Sequence, residues 1–178
     1  GSCDIFMSEY SNGSWSNAKN MGPKINTPQW ETQPCLSSDG QYLFFVRDSR
    51  KPGSNSNIWM SRWNGFSWSI AKQLPVPING SGDEFSPFFH ADGKTLYFSS
   101  NSHVGLGGLD LFKSTLTSSD TWSEPMNLGY PINDYRDNFG LVISTNGDCG
   151  FLAGGTLSKG SYQFNAQKPQ IYQFRVPD

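Results

Sequence analysis

The chain has 178 residues, which is enough for one domain with a buried core. Its net charge is −2 at pH 7, and no stretch reaches the roughly 18 consecutive apolar residues of a membrane-spanning helix. We therefore expect no nucleic-acid partner and no direct membrane insertion. Aromatic residues make up 15% and charged residues 16%, beside 19 glycines and 11 prolines, and this composition favours a β-rich fold.

In chain order, strand-like stretches divide the sequence into four units. Residues 3–30 hold two stretches around Asn12-Gly13, residues 31–83 and 84–136 hold four each, and residues 137–178 hold three. A closing phrase of similar sequence ends each of the first three units: WSNAKNMGPKIN (15–26), WSIAKQLPVPIN (68–79) and WSEPMNLGYPIN (122–133). The sequence is therefore a tandem repeat.

Two sets of residues give the period of this repeat. The phrase tryptophans Trp15, Trp68 and Trp122 lie 53 and 54 residues apart. The same spacing separates three turn signals: Asp39-Gly40, Asp92-Gly93 and Asn146-Gly147. Four antiparallel strands at this interval are typical of a β-propeller blade, with the tryptophans packed on the outermost strands. We predict an all-β partial propeller of about three and a quarter blades, forming a single domain over residues 1–178.

The predicted strands do not close a ring, because known propellers have about four blades or more. Either the sequence is part of a longer propeller, which we favour, or two copies complete one another. In the last unit Gly140 is interpreted as standing where earlier units have proline. This divergence suggests a closing blade, with any missing blades on the N-terminal side.

The best-preserved unit runs DEFSPFFHADGKTLYFSS, followed by GGLDLF and WSEPMNLG. It resembles the WD40-like, TolB-type (PD40) propeller repeat, and more narrowly the propellers of Bacteroidota envelope proteins of the OmpA family, including the type IX secretion component PorE. The resemblance implies a periplasmic, outer-membrane-associated location with other envelope proteins as partners. It implies contact with peptidoglycan only through a domain outside this chain.

An acidic column precedes the first strand of three units: Glu31, Glu84 and Asp137. These carboxylates could converge to bind a cation or to act in catalysis, or each could accept backbone N–H groups between blades. We favour the structural role, since residues that recur in every unit usually serve the unit. With two histidines and no nucleophile or metal motif, we predict no catalytic residue, no metal, no cofactor and no enzyme activity.

The longer loops and the linkers are expected to share one face of the disc. They hold the residues that we predict to contact a partner: Arg50, Lys51, His103, Tyr135, Arg136, Lys159 and Tyr162. The glycines of VGLGGLD (104–110) are expected to adopt positive φ. The predicted function is a non-catalytic protein-interaction scaffold, and the alternative is a glycan-binding propeller that uses loop tyrosines such as Tyr130.

Overall fold

The computed structural model describes residues 2–119, 121–155 and 170–176, and every regular element in these ranges is a β-strand. The strands are β1 (Phe6–Met7), β2 (Tyr10–Ser11), β3 (Ser14–Trp15), β4 (Lys19–Asn20), β5 (Trp30–Leu36), β6 (Tyr42–Asp48), β7 (Asn57–Arg62), β8 (Lys72–Gln73), β9 (Glu84–Phe89), β10 (Thr95–Ser100), β11 (Asp110–Thr115), β12 (Met126–Asn127), β13 (Asp137–Ile143), β14 (Cys149–Gly155) and β15 (Gln170–Arg175). Across the described ranges, we find no helix with the length and apolar character to cross a membrane.

Each sheet is an antiparallel meander of strands consecutive in the chain. The first sheet has the order β5-β6-β7-β8, the second β9-β10-β11-β12, and the third β13-β14-β15. Before them, β1 pairs with β4 and β2 with β3, which together form one N-terminal hairpin. The prediction of an all-β fold with four-stranded propeller blades is confirmed, whereas the predicted domain and unit boundaries stay predictions.

The Asp-Gly and Asn-Gly turns join the first two strands of each sheet. Gly40, Gly93 and Gly147 have φ of 70°, 72° and 80°, and each N–H donates to a carbonyl three residues earlier. Here only the glycine takes a positive φ, because the loops are longer than two residues. In the turn of the N-terminal hairpin, both central residues have positive φ: Asn12 at 51° and Gly13 at 80°.

A β-bulge interrupts the first strand of every sheet. Its positive-φ position is held by Gln33 (52°), Ser86 (50°) and Gly140 (66°). The sequence interpretation of Gly140 as a proline replacement was therefore wrong, because Leu141 stands where Pro34 and Pro87 stand. Glycine suits this column, since it adopts the left-handed region without Cβ strain.

Buried side chains between neighbouring sheets form three apolar clusters. The central cluster joins the first and second sheets: Phe44, Ile58, Leu74, Ile78, Phe89, Leu96, Phe98, Phe112 and Trp122. A second cluster joins the N-terminal hairpin to the first sheet: Ile5, Ile25, Leu43, Phe45 and Ala71. A third joins the second and third sheets: Tyr97, Leu111, Ile132, Leu141, Ile143 and Leu152. The sheets are thus stacked face to face, as propeller blades are.

The repeated tryptophans differ in what covers them. Trp122 is 9% exposed and meets Phe44 of the preceding sheet edge-on, with ring centroids 6.2 Å apart. Trp68 is half-buried and packs against the hairpin-side cluster. Trp15, on the N-terminal hairpin, is 69% exposed. Trp68 and Trp122 therefore pack against the preceding blade as well as on their own blade.

The asparagine that ends each closing phrase fastens the linker to the third strand. Asn79 Oδ1 accepts from the Ile58 N–H at 2.8 Å, and its Nδ2 donates to the Ile58 carbonyl at 2.9 Å. The same two bonds recur in the other repeats: Asn26 with Ile5, and Asn133 with Leu111. This contact is the physical reason why the phrase ends in Ile-Asn.

Candidate functional site

One face of the molecule collects the long loops and the linkers, which we call the long-loop face. The β6–β7 and β10–β11 loops leave the sheets there, because strand direction alternates, and so do the linkers after β8 and β12. Large apolar side chains are exposed along these segments: Val76, Val104, Leu106, Tyr130 and Tyr135. Large apolar side chains exposed on loops of a rigid scaffold are candidates for recognition.

Arg50 and Lys51 lie in the β6–β7 loop on this face. The Arg50 guanidinium carbon is 4.0 Å from the centroid of the Trp30 ring, and its Nε is 3.4 Å from Asp48 Oδ2. Asp48 also accepts from the Arg50 backbone N–H at 2.6 Å, which fixes the start of the loop. Lys51 is exposed beside them. The loop thus presents cations from a backbone held by hydrogen bonds.

Tyr135 and Arg136 lie in the linker before β13. Tyr135 is 77% exposed, and the Arg136 guanidinium carbon is 5.2 Å from its ring centroid. A hydrogen bond with Tyr135, followed by the charges of Tyr135 and Asp134, raises the pKa of Arg136. Beside this pair is a cavity of about 260 Å³, lined by Pro131, Ile132, Asp134, Arg136, Asn138, Leu152, Tyr172, Gln173 and Phe174.

His103 is placed differently from the other predicted contact residues. Its ring is half-buried, 5.9 Å from the Phe98 ring and 5.1 Å from the Phe112 ring, and Nε2 is 3.2 Å from the Ile78 carbonyl. The His103 ring therefore points towards buried side chains of the second sheet rather than towards solvent. Lys159 and Tyr162 lie outside the described residues, and the partner-binding role of all seven residues stays a prediction.

The acidic column is buried at Glu31 and Glu84, whereas strand pairing aligns Asn138 rather than Asp137 with them in the third sheet. Glu31 Oε1 accepts from Arg47 Nε at 2.7 Å and from the Thr27 hydroxyl at 2.6 Å. One repeat later, Glu84 Oε1 accepts from the hydroxyls of Ser100 and Ser102, while Oε2 is buried without a hydrogen-bond partner among the described residues. Burial raises the pKa of Glu84, against the opposing effect of these hydrogen bonds.

In the second sheet, His103 occupies the surroundings that Arg47 occupies in the first. Arg47 donates to the Ile25 carbonyl at 2.7 Å and lies 4.0 Å from the Trp59 ring centroid. The residues one repeat later are Ile78 and Phe112, which His103 contacts, while the position of Arg47 itself is taken by Ser100. The sequence did not suggest this exchange, since the histidine lies three residues away from the arginine column.

The glycine-rich β10–β11 loop wraps around two carboxylates. Leu106 and Gly107 donate their N–H groups to Asp110 Oδ2 at 2.7 and 3.1 Å, and Leu109 donates to Asp137 Oδ1 at 2.8 Å. None of the loop glycines has positive φ, so that expectation was wrong. A Cβ would instead collide with the atoms that the loop encloses, at three positions: Gly105, Gly107 and Gly108.

A cleft of about 730 Å³ lies at the opposite end of the first sheet, between the β5–β6 and β7–β8 turns. It is lined by Asp39, Gln41, Arg62, Trp63, Asn64, Gly65 and Ser69. The cleft is partly open to solvent, and its lining combines an aromatic ring with planar polar side chains. No sequence pattern indicates this cleft, because its residues come from two separate turns.

Comparison with known proteins establishes the fold and no family. No protein-family model and no curated protein matches the sequence. Among solved structures, TolB from Acinetobacter baumannii matches with a TM-score of 0.59 and 15% identity, over 97% of this chain and 35% of that one. A putative TolB from Agrobacterium tumefaciens matches at 0.61 and 13%, over 96% and 57%. The propeller part of the resemblance is thus supported, whereas the OmpA, PorE and type IX features stay predictions.

Enzymes with the same architecture also match. The α-L-arabinofuranosidase from Lactobacillus brevis has a TM-score of 0.57 at 12% identity, over 97% of this chain and 62% of that one. Further glycoside hydrolases match at similar identity. The prediction that this chain is not an enzyme, which relied on the missing nucleophile and metal motifs, is therefore overturned, because enzymes share this architecture. The chain spans between 35% and 62% of the length of the structures named here.

Proposed function

We propose that this chain is a protein-interaction propeller whose long-loop face binds another protein. The observation that carries the proposal is the exposure of five large apolar side chains on the loops and linkers of that face, which also hold Arg50, Lys51 and Arg136. Protein interfaces combine an apolar centre with a polar rim, and aromatic residues and arginine are enriched in them. Tyr135 with Arg136 is a pair of this kind.

The charges on the face indicate the chemistry of its partner. Arg50, Lys51 and Arg136 lie on the same face as the apolar residues, and Arg50 and Arg136 have aspartate partners at 3.4 and 3.8 Å, so Lys51 is the cation that most favours a carboxylate on an otherwise apolar partner surface. Complementary charge raises the association rate, and that contribution falls with added salt. We therefore expect the association rate at this face to fall with added salt. The central contacts are expected to be apolar.

We place the interaction in the periplasm, with the protein associated with the outer membrane. This proposal rests on the sequence resemblance to Bacteroidota envelope propellers, and the TolB names among the matching structures agree with it. Its partners are then other envelope proteins of a type IX secretion-like assembly. Peptidoglycan is reached only through a domain outside this chain.

The experiment compares capture of envelope proteins by the unaltered chain and by a triple variant of the long-loop face. Val104→Ser, Tyr135→Ser and Arg136→Ser remove two exposed apolar groups and one cation without touching the core. We expect the triple variant to lose the captured partner. Phe66→Ser is the matched control, since Phe66 is exposed on a turn at the opposite end of the sheets. Equal capture by both variants would contradict the proposal.

A second candidate function is glycan binding, which the aromatic cleft at the opposite end favours. Trp63 offers a ring on which a sugar can stack, and Arg62, Asp39 and Gln41 offer hydrogen bonds around it. Titration with an oligosaccharide panel, followed by tryptophan fluorescence, tests this function. We expect Arg62→Ala to weaken any binding at the cleft and the long-loop variant to leave it unchanged. A panel without binding would exclude the cleft as a glycan site.

A further inference from the structure

The N-terminal hairpin exposes one aromatic face. Phe6, Tyr10 and Trp15 are all exposed, and the Tyr10 and Trp15 rings lie 5.2 Å apart. Residues at the same repeat positions in the next two sheets pack against the preceding blade: Trp59 and Trp68 in the first sheet, and Phe112, Leu116 and Trp122 in the second. The hairpin face is therefore built to receive a blade that precedes it.

The third sheet exposes the opposite kind of face. Val142, Phe151 and Ile171 are exposed on it, Ile171 at 80%. Residues at the same positions in the earlier sheets contact the blade that follows: Cys35, Phe44 and Ile58 in the first sheet, and Phe88, Tyr97 and Leu111 in the second. This face is therefore built to receive a blade that follows it.

The hairpin face carries the third- and fourth-strand residues of such a contact between blades, and it lacks counterparts of the first- and second-strand residues Phe89, Leu96 and Phe98. Within the molecule, Phe44 meets Trp122, with ring centroids 6.2 Å apart. Phe151 stands in the repeat position of Phe44, and Trp15 stands in that of Trp122. We propose that the hairpin face of one chain binds the third-sheet face of a second copy, in a head-to-tail contact. This inference goes beyond the proposed function, since it uses neither the long-loop face nor the cleft.

The repeat geometry also limits the number of copies. A head-to-tail contact closes into a ring when the rotation between copies completes a circle. Each copy contributes three sheets and the hairpin. Two copies give six sheets and two hairpins, which together fill eight blade positions, at the upper end of the four to eight blades usual in propellers. The expected assembly is a closed dimer, and a larger ring would exceed that range.

The test is the mass of the 178-residue chain in solution, measured by sedimentation equilibrium over a concentration series. We expect a mass about twice the monomer mass of 19.8 kDa. Trp15→Lys and Ile171→Lys each place a charge on one of the two faces, at exposed positions that the fold tolerates. Each variant alone is expected to sediment as a monomer. Phe66→Lys is the matched control, since its exposed ring lies on neither face, and it keeps the dimer mass.

Mixing the two variants distinguishes a head-to-tail contact from a symmetric one. The Trp15→Lys chain keeps an intact third-sheet face, and the Ile171→Lys chain keeps an intact hairpin face. Above the concentration at which the unaltered dimer dissociates, their mixture is expected to form a heterodimer through one contact. Three results would overturn the proposal: a monomeric unaltered chain, whose faces then accept blades from another source; a single variant that remains dimeric; or a mixture without heterodimer. Circular dichroism of each variant verifies that it is folded.

Discussion

Two buried carboxylates at equivalent repeat positions show how one substitution changes the chemistry of a column. Glu31 is paired with Arg47, whereas Glu84 has hydroxyl donors and a nearby histidine. The first linker is therefore held by a buried ion pair. The second is held by a buried carboxyl group that accepts from two hydroxyls and from the Gly80 N–H.

The buried ion pair predicts a large cost for removing one partner. In Glu31→Gln, Arg47 stays buried without its carboxylate, and we expect the free energy of unfolding to fall by about 3–5 kcal/mol. Urea denaturation measures the change, and Glu9→Gln at an exposed position is the control. A loss within about 0.5 kcal/mol, as is usual for surface substitutions, would show that the pair does not hold the linker.

Glu84 predicts a pH dependence of stability with a definite sign. Burial raises its pKa in the folded protein, so the protonated acid is favoured there relative to the unfolded chain. The resulting contribution to the free energy of unfolding is fully present below the ordinary pKa range of a carboxyl group. It is lost as pH rises through the raised pKa of Glu84. We therefore expect Glu84→Gln to gain stability relative to the unaltered chain as pH rises across that window. Urea denaturation at a series of pH values measures the difference, and a constant difference would contradict the assignment. Glu124→Gln, at an exposed site, is the control.

At the scale of single elements, the linkers hold the short outermost strands in place. Strands β8 and β12 have two residues each, too few to hold a sheet edge by their own ladder bonds. The asparagine that ends each phrase supplies the missing bonds, and Asn79 also donates to the Leu74 carbonyl at 2.7 Å. One side chain thereby joins the linker, the third strand and the end of the fourth.

Removing this side chain is expected to destabilise the whole blade. Asn79→Ala leaves the Ile58 N–H and the Leu74 carbonyl without these partners in a buried site, where each unmet group costs about 1–3 kcal/mol, while the Ile58 carbonyl keeps the Leu74 N–H at 2.9 Å. We expect a loss of about 3 kcal/mol or more in the free energy of unfolding, measured by urea denaturation. Asn17→Ala, on the exposed side of the hairpin, is expected to be neutral. Equal effects at both positions would exclude the asparagine as the fastener.

At the scale of the whole molecule, burial is highest in the middle of the chain and falls towards both ends. Strands β6 and β10 lie inside four-stranded sheets with buried neighbours, whereas the hairpin and the third sheet each leave one face exposed. Local opening costs less where fewer apolar contacts are broken.

Hydrogen exchange is therefore expected to follow this gradient in the monomeric Trp15→Lys variant. Amides of β6 and β10 should exchange most slowly, and those of residues 6–20 fastest among the strands. Exchange followed by mass spectrometry measures it, and in the unaltered dimer the hairpin should gain protection. A hairpin as protected as β6 in the monomeric variant would contradict the gradient.

The sequence by itself determined the repeat, the β-rich class and the hairpin turns of this protein, because each depends on local patterns. Trp15, Trp68 and Trp122 set the period, and Asp39-Gly40 marked a turn without knowledge of neighbouring sheets. The sequence alone did not show which residue of the bulge has positive φ. The proline and the positive-φ residue are adjacent in the chain, and only the strand pairing distinguishes them.

Only the tertiary structure decided what each repeated residue contacts. His103 took over the surroundings of an arginine from another column, the Gly105 loop closed on Asp110, and the cleft at Trp63 formed from two turns. The tryptophan column was uniform in sequence, yet Trp122 is buried and Trp15 is exposed. The physical reason is that burial depends on the adjoining blade, and a repeat pattern describes one blade rather than the surface that covers it.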